Sequence, residues 1–322
     1  MDDYQVSTYT RDERPPDIEP VERFVIRPQD PWFSAAEQDV VRRSLRQQLG
    51  GLFDSWTVIR RGGLPVATIW FCLSDDSYRT GILGYALTDP AHRGKGLARR
   101  ACQTAVDTAR RWGSKLMFLG TGNPVAARVY QRVGFAPWYG ATMCLPERGY
   151  QSCPVHYGDA RTVRRVRWSD FGALVRFIID PQPQTVIDHF ERLTRQDGFL
   201  AQHRTASTAA ALLLRAEKRM NAMLVLANDG GHIQGLASIL ISPEDAGRHY
   251  LQLTVHPNCQ EAGKALAADA VACARESGID SLLAITGADD FATIHGLTSC
   301  GFKRTEMPQE ESQGPRATFV RS

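Results

Sequence analysis

A glycine-bearing loop, Asp89–Ala98, joins a predicted strand to a predicted helix and is the first place where this sequence could do chemistry. The backbone N–H groups that begin a helix have no partner within it and lie at the positive end of its dipole, so they bind phosphate. Gly94 and Gly96 carry no side chain that would hinder this approach. Four basic residues add positive charge: Arg93, Lys95, Arg99 and Arg100. The loop is either a phosphate site or a tight strand-to-helix turn.

A second segment, Asn123–Phe135, contains a tyrosine that could act as a proton donor. Asn123 and Pro124 begin a predicted helix, and Gly134 ends it. Seven residues separate Asn123 from Tyr130, which places both on one face of that helix, about two turns apart. Because a helical tyrosine also serves as a core residue, the residues alone leave its role open.

The elements that must position these segments follow from hydrophobic periodicity and from helix start and stop signals. In chain order we expect a strand at Phe24–Ile26, a helix at Ser34–Leu49 with Ser34 as N-cap and Glu37 three residues on, strands at Trp56–Ile59, Pro65–Leu73 and Gly81–Leu87, a helix from Leu97 to Gly113, a strand at Leu116–Leu119, the helix that Asn123 opens, and a strand near Trp138–Cys144.

The second half of the chain repeats this order of elements. Three landmark pairs are each 167 residues apart: Pro90 and Pro257, Gly96 and Gly263, Gly134 and Gly301. The register is not gapless, since Gly113 and Gly278 differ by 165. The sequence therefore predicts an α/β (α+β) protein with two tandem copies of one domain, each a mixed central sheet flanked by helices.

Local composition and the positions of proline and glycine set the expected domain boundaries. Residues 1–22 are polar and acidic, contain Pro15, Pro16 and Pro20, and are expected to form a flexible arm. The other expected parts are an N-terminal domain at residues 23–148, a linker at 149–160, a C-terminal domain at 161–310 and a tail at 311–322. The strands and helices expected in the second domain are Val163–Val166, Ser169–Arg195, Met223–Ala227, Ile233–Ile241, Tyr250–Val255, a glycine loop with its helix, and Leu282–Ile285 with the helix that follows.

Bulk properties narrow the functional class. The 322 residues are 43% hydrophobic and 23% charged, which excludes a disordered chain and suits two domains. No apolar run approaches the roughly 18 residues of a membrane span, and the N-terminus does not resemble a signal peptide, so we expect a cytoplasmic protein without a membrane partner. The net charge of +3 is unevenly distributed, because residues 31–150 contain 16 basic and 8 acidic residues. This excess suits a small polyanion and is too diffuse for nucleic acid.

Cysteine and histidine spacing gives no sign of a metal centre. The 7 cysteines are scattered, with no Cys-x-x-Cys pair, and the 8 histidines show no ligand spacing. We therefore expect reduced, mostly buried thiols, without a disulfide framework or a bound metal.

Together, the two segments resemble the GNAT superfamily of acyl-CoA N-acyltransferases. The family's loop pattern, Arg/Gln-x-x-Gly-x-Gly/Ala, is matched by Arg93, Gly96 and Ala98, and its helix pattern by Asn123, Ala126, Tyr130, Gly134 and Phe135. The resemblance implies that the pyrophosphate of acetyl-CoA, or of another acyl-CoA, binds to the loop residues Arg93, Gly94, Lys95, Gly96, Leu97, Ala98 and Arg99. It also implies that Leu87 and Thr88 form hydrogen bonds with the pantetheine arm and that Asn123 and Ala126 help hold the cofactor. Tyr130 would then protonate the leaving thiolate. Thr88 stands where the family usually has valine.

Direct attack of a neutral amine on the thioester would also require a base, which remains unassigned. Some members have a glutamate on the strand before the loop, but Gly81–Leu87 contains no acid. Asp75 and Asp76 could relay the proton through water or simply form a turn. Tyr85 could line the acceptor pocket or belong to the core. His92 is expected to be an exposed loop side chain.

The second copy matches the family only in part. Gln260, Gly263 and Ala265 satisfy the loop pattern, but Glu261 and Ala262 replace Gly94 and Lys95. Asp290 stands at the asparagine position and Leu297 at the tyrosine position. We expect a degenerate copy that packs against the first as an intramolecular pseudo-dimer within a monomeric chain, and that could wall the acceptor site.

The resemblance implies an N-acetyltransferase that uses acetyl-CoA and acts, in its N-terminal domain, on a small-molecule amine such as an amino acid or an amino sugar. Two alternatives stay open: a regulatory protein that binds acyl-CoA without catalysis, and a protein-lysine acetyltransferase. GNAT-like decarboxylases also exist, so the reaction type depends on the family analogy.

Overall fold

The structure is a computed structural model that describes residues 3–10, 13, 17–26, 35–147, 161–179, 205–218, 223–241, 247–305 and 316–321. Its first set of elements is β1 (Tyr4–Thr10), α1 (Ile18–Val25), α2 (Ala35–Leu45), β2 (Phe53–Arg61), β3 (Leu64–Leu73), β4 (Gly81–Thr88), α3 (Leu97–Arg111), β5 (Leu116–Gly120), α4 (Pro124–Gln131), β6 (Ala136–Pro137) and β7 (Thr142–Pro146). These seven strands form one mixed sheet in the order β1-β2-β3-β4-β5-β7-β6.

The second set repeats the first, element for element. It consists of β8 (Arg161–Arg165), α5 (Phe171–Ile179), α6 (Thr205–Lys218), β9 (Met223–Asn228), β10 (Ile233–Ile241), β11 (His249–Val255), α7 (Gln260–Glu276), β12 (Leu282–Gly287), α8 (Phe291–Ser299), β13 (Lys303–Thr305) and β14 (Arg316–Arg321). Its strands pair in the order β8-β9-β10-β11-β12-β14-β13, the same order as in the first sheet. The prediction of two tandem α/β copies is confirmed.

One face of the first sheet forms a core with α3. Phe71 and Leu83 are among the buried side chains of this face, and they pack on the small residues Ala101, Cys102 and Ala105 of the helix. Small side chains let a helix lie close to a sheet, which fixes the position of the helix N-terminus relative to the strands. The loop before α3 is thereby held at the end of β4.

The chain divides into two compact units whose boundaries differ from the expected linear ones. The first takes in Met1–Pro154, Arg167–Arg176 and Ala201–Leu214, and the second takes in Val155–Val166, Phe177–Leu200 and Arg215–Ser322. Part of the expected C-terminal domain therefore belongs to the first unit. There the Ala173 N–H donates to Ser74 Oγ at 2.8 Å, and a Cβ at Gly172 would overlap the Thr80 carbonyl oxygen.

The expectation of a flexible arm at residues 1–22 is wrong for the described part of that segment. Tyr4–Thr10 pairs antiparallel with β2 along its whole length, and Tyr4 and Val6 pack against the core around α3. The segment Phe24–Ile26, expected as a strand, instead lies at the end of α1, because Val21 and Val25 are one turn apart and both buried.

The expected tail at residues 311–322 contains a strand, since β14 pairs with β12 and β13 inside the second sheet. The expected linker at 149–160, the N-cap Ser34 and Cys153 lie outside the described residues. So does the part of the expected helical stretch Ser169–Arg195 that follows Ile179. Within the described ranges, no helix is both long and apolar enough to cross a membrane.

Candidate functional site

The loop between β4 and α3 presents a row of unpaired backbone donors. A short 3-10 turn at Pro90–His92 begins it, held by Asp89, whose Oδ1 accepts the Ala91 N–H at 2.9 Å. Gly94 and Gly96 follow with φ of +76°, in the left-handed region that favours glycine, and Gly96 is the N-cap of α3. Within the part of the chain that the structure describes, the backbone N–H groups of residues 94–99 have no acceptor. Such a row is an anion-binding concavity.

Basic side chains surround this row. Arg93, Lys95, Arg99 and Arg100 are all exposed. The guanidinium Nε of Arg93 reaches the Thr88 carbonyl at 3.4 Å, and the Lys95 ammonium reaches the Ala91 carbonyl at 3.3 Å. Leu97 is the one buried residue of the loop, and it anchors the start of α3 in the core. The loop thus combines a positively charged surface with a rigid attachment to the core.

Next to the loop, β4 separates from β5. The two strands pair only at Gly81 with Met117 and at Ile82 with Phe118. On its other edge, β4 stays paired with β3 up to Thr88, although the register shifts between Thr68 and Trp70. Beyond Ile82, the edge of β4 that faces β5 is therefore not paired with it, and this stretch includes Leu87 and Thr88. A strand edge of this kind can bond the amides of an extended ligand.

The strand bends where Tyr85 adopts a φ of +49°. Its ring stacks on Trp56, with centroids 5.9 Å apart, and contacts Trp70 at 5.4 Å. The Trp70 ring in turn meets Phe171 edge-on at 6.1 Å. Burial, followed by the nearby charges of Glu37 and Cys72, raises the pKa of Tyr85, so that its hydroxyl stays protonated at neutral pH. Tyr85 therefore belongs to an aromatic cluster at the bend.

Helix α4 brings Tyr130 against α3. Asn123 caps the helix, and its Oδ1 accepts the N–H groups of Val125 at 2.9 Å and Ala126 at 3.4 Å. The half-buried Tyr130 ring packs on the core around α3 and lies 6.2 Å from the Phe135 ring. Burial, and to a lesser extent the Cys102 thiol of α3, raises the pKa of Tyr130. Its hydroxyl forms no hydrogen bond with any described residue.

Asp75 and Asp76 form a turn, which is one of the two roles left open by the sequence. Asp76 is buried, and its Oδ1 accepts the N–H groups of Tyr78 at 2.8 Å and Thr80 at 3.2 Å. Burial raises the pKa of Asp76. Asp75 pairs with Arg79 at 3.2 Å. Both precede the Gly81 end of β4, whereas the phosphate-type loop follows its Thr88 end, roughly 23 Å away along an extended strand.

His92 is not the exposed loop side chain that the sequence led us to expect. It is half-buried, and its Nδ1 forms a hydrogen bond of 2.9 Å with the Tyr4 hydroxyl. The two rings also meet edge-on at 5.8 Å. His92 therefore ties the loop to β1.

Sequence reasoning missed a buried polar group on β2. Asp54 is 6% exposed, and its Oδ2 accepts hydrogen bonds from the Trp70 Nε1–H at 3.0 Å and from the Ser44 hydroxyl. The Ser44 oxygen in turn accepts from Trp56 Nε1–H at 2.7 Å. The available signal was a carboxylate at the start of a strand whose next two residues on the same face, Trp56 and Val58, are apolar.

Within its described residues, the second unit differs from the first at the loop and at the tyrosine position, although β11 and β12 likewise pair only at Tyr250 with Leu283. Gln260 already belongs to α7, so the expected glycine loop is helical. Gly263 has no positive φ and packs closely on Val255, whose side chain would lie 3.0 Å from a Cβ at this position. Glu261 pairs with Lys264 at 2.8 Å, and this contact lowers its pKa. Leu297, at the tyrosine position, is fully buried.

The strand pair of the second unit that corresponds to β3 and β4 also stays in register. β10 and β11 pair without a register shift from Gly235 with Val255 to Ile241 with His249. At the asparagine position, Asp290 is buried and caps α8 by accepting the Thr293 N–H at 3.1 Å. The bend, and the extension of the helix-start donors through two left-handed glycines, are therefore properties of the first unit among the residues that the structure describes.

Comparison with known proteins places the first unit in context. Residues 19–135 match the model of the family described as "Acetyltransferase (GNAT) family". No curated protein matches the chain.

Three solved structures illustrate what the chain is similar to. A GNAT superfamily phosphinothricin acetyltransferase from Sinorhizobium meliloti, in complex with AcCoA, is 13% identical over 50% of this chain and 88% of its own, with a TM-score of 0.39. The ribosomal-protein-alanine N-acetyltransferase from Brucella melitensis is 16% identical over 49% and 96%, with a TM-score of 0.37. An acetyltransferase from Agrobacterium tumefaciens str. C58 is 14% identical over 55% and 99%, with a TM-score of 0.39.

The matched residues hold the row of unpaired donors, the bend in β4 and the helix that carries Tyr130. Residues 19–135 therefore resemble a domain of the GNAT acetyltransferase family.

Proposed function

We propose that the first unit is an N-acyltransferase that moves the acetyl group of acetyl-CoA to the amine of a small molecule. The observation that carries this proposal is the row of N–H groups at residues 94–99, which lacks acceptors among the described residues and stands beside the separated strands β4 and β5. Each of the two features suits a different part of a CoA thioester.

The residues present fit the two parts of that cofactor. The donors of residues 94–99, with the charges of Arg93 and Lys95, suit a pyrophosphate. The edge of β4 at Leu87 and Thr88 suits the amides of a pantetheine arm. Asn123 uses Oδ1 for its cap, which leaves its amide N–H donors to the cofactor. Acetyl-CoA supplies the activated acetyl group.

Tyr130 is the residue of this chain that would supply a proton. Its raised pKa keeps the phenol protonated at neutral pH, so that the hydroxyl can donate to a departing sulfur. The ordinary pKa of a phenol, about 10, exceeds that of a thiol, about 8.5, and desolvation raises both, so the transfer requires that the departing sulfur be desolvated at least as strongly as the phenol.

A small acceptor is favoured over a protein lysine by the surroundings of the bend. Tyr85, Trp56, Trp70 and Phe171 form continuous aromatic contacts there. Side chains packed in this way enclose the inner side of the bend, whereas a peptide segment would need an open groove.

The proposal is tested by incubating the full chain with acetyl-CoA and either a panel of small primary amines or a lysine-containing peptide. Free thiol is followed against an amine-free control, and products are identified by mass spectrometry. We expect thiol release that depends on a small amine, together with an acetylated amine. Binding of acetyl-CoA without any acetylated amine would favour the regulatory alternative, and acetylation of the peptide alone would contradict a small-molecule acceptor.

A further inference from the structure

A short segment from the second half of the chain, residues 167–176, belongs to the first unit. It consists of a 3-10 turn at Trp168–Asp170 and most of α5, the helix that follows the first strand of the second copy as α1 follows β1. Residues 168–176 are all buried. A buried segment that comes from the other copy points to a role in the first unit beyond joining two domains.

Backbone hydrogen bonds fix this segment to the connection between β3 and β4. The Asp75 N–H donates to the Ser169 carbonyl at 3.0 Å. The Ala173 N–H, in the first turn of α5, donates to Ser74 Oγ at 2.8 Å. Because the first N–H groups of a helix have no partner within it, this bond satisfies a donor that would otherwise be buried alone. The segment is therefore anchored at the end of β3.

Two residues of α5 reinforce this anchor. Gly172 lies so close to the connection that a Cβ there would overlap the carbonyl oxygen of Thr80, the residue that directly precedes β4. One turn further along the helix, the Arg176 guanidinium lies 4.9 Å from the centre of the Tyr78 ring. Residues four apart share one face of a helix, so these two contacts set both the position and the rotation of α5.

Phe171 extends the contact to the aromatic cluster at the bend of β4. Its ring meets the Trp70 ring edge-on, with centroids 6.1 Å apart. The Trp70 ring lies 5.4 Å from that of Tyr85, and one of its carbons would lie 3.5 Å from a Cβ at Gly84. Trp70 is 2% exposed, and a close-packed interior leaves such a ring little room to move. Phe171 thus contacts the ring that supports two consecutive residues of the bend.

The bend needs support because its backbone is strained. Tyr85 is not a glycine, yet its φ is +49°, and a side chain in this region persists only where its surroundings hold it. Stacking on Trp56 and contact with Trp70 provide that hold. In the second unit, β10 and β11 pair without a register shift, and no residue of these two strands has a positive φ. The fold alone therefore does not impose the bend, and in the first unit aromatic packing holds it.

We propose that Phe171 is a positioning residue of the transferase. Supplied by the second half of the chain, it holds Trp70 and, through Trp70, the bend at Tyr85, and so sets the affinity for the acceptor amine. The second copy thereby contributes to the activity of the first, although its own loop and tyrosine position are altered. The effect on the acceptor rests on the proposed function, whereas the support of the bend does not depend on acetyl transfer.

The test compares two substitutions of the same kind in the full chain. Phe171→Leu removes the ring contact with Trp70 and keeps a buried apolar side chain. Phe177→Leu is the matched control: Phe177 is 4% exposed in the same helix, belongs to the second unit, and is not among the described rings that contact Trp70. We expect both variants to lose unfolding free energy. Only Phe171→Leu should raise the KM of the amine, by roughly 3- to 10-fold, the range that one aromatic pair is worth, with kcat within about twofold.

Two further measurements separate positioning from general destabilisation. The Kd of acetyl-CoA should stay within about twofold in both variants, because α3 holds the phosphate-type loop from the face of the sheet that Phe71 covers and its neighbour Trp70 does not. Hydrogen exchange needs no activity. In Phe171→Leu, the amides of residues 83–88 in β4 should exchange faster relative to those of β5 than they do in the wild type, and Phe177→Leu should leave this ratio unchanged.

The outcomes separate this inference from the proposed function. An amine KM that is unchanged in Phe171→Leu, or raised equally in Phe177→Leu, would overturn the positioning role while leaving the transferase intact. If no amine is acetylated, hydrogen exchange decides: faster exchange at residues 83–88 in Phe171→Leu alone supports the role, and unchanged exchange overturns it. Should Phe171→Leu fail to fold, Phe171→Met against Phe177→Met provides the same comparison.

Discussion

Replacing Gly96 with alanine tests whether the loop before α3 binds phosphate. Gly96 has a φ of +76°, and a Cβ built there meets no atom within 4 Å. The variant should therefore lose only the unfolding free energy that an alanine backbone at positive φ requires, about 1–2 kcal/mol. For a unit of this size, each kcal/mol lowers Tm by roughly 2–4 °C.

Gly63, in the turn between β2 and β3, provides a matched control. Its φ is +81°, and a Cβ there also meets nothing within 4 Å. Gly63→Ala should therefore lose about the same unfolding free energy as Gly96→Ala. The two variants differ in their surroundings, because Gly96 lies within the row of unpaired donors at residues 94–99 and Gly63 does not.

The cofactor should distinguish the two variants. A methyl group at Gly96 stands where a phosphate must approach the N–H groups, and one hydrogen bond to a charged group is worth about 1.5–3 kcal/mol. We expect the Kd of acetyl-CoA, measured by calorimetry, to rise roughly 10- to 100-fold in Gly96→Ala and to stay unchanged in Gly63→Ala. Equal Kd values at equal Tm would refute the role assigned to the loop.

Three further predictions follow from the two units. Tyr130→Phe should lower kcat about 100-fold without loss of unfolding free energy, and wild-type kcat should show no decline from this group below about pH 10. Asp76→Asn should keep activity and gain unfolding free energy at pH 7. Because burial raises the pKa of Asp76, the unfolding free energy of the wild-type protein rises as pH falls through that pKa. The advantage of the variant should therefore shrink in acid, which urea titrations at several pH values can measure. Calorimetry should give one acetyl-CoA per chain, and a stoichiometry of two would contradict a degenerate second copy.

The repeated architecture could be predicted from sequence because its signals are local. Glycines and prolines mark the ends of elements, and three landmark pairs share one offset of 167 residues. The sheet orders of the two halves are identical, as a repeat requires. The strands at the two ends of the chain were missed for a physical reason: β1 and β14 are stabilised by pairing with distant strands, which no local pattern encodes.

Some features of the candidate site could likewise be predicted from the sequence, and others could not. The loop and Tyr130 could be found because glycine, proline and a spaced helix carry their own signals. The separation of β4 from β5 depends on a register shift and on the φ of Tyr85, which is not a glycine. The role of Asp54 depends on residues 10 and 16 positions away in the sequence, Ser44 and Trp70. Neither could be read from spacing.

The second copy illustrates the limit of a motif. Gln260, Gly263 and Ala265 match the loop pattern, yet the structure continues α7 through them. Gly263 serves close packing on Val255 and adopts no left-handed φ. The same residue type therefore meets a conformational need at Gly96 and a steric one at Gly263.

Hydrogen exchange with and without acetyl-CoA tests the central claim most directly. The amides of residues 94–99 have no acceptor among the described residues, so they should exchange rapidly in the free protein and slow when acetyl-CoA binds. The segment of α7 that aligns with the loop pattern Arg93–Ala98, residues 260–265, should not respond. Protection confined to residues 94–99 is the predicted result. Unchanged exchange there at saturating acetyl-CoA, or protection of residues 260–265 instead, would contradict the account.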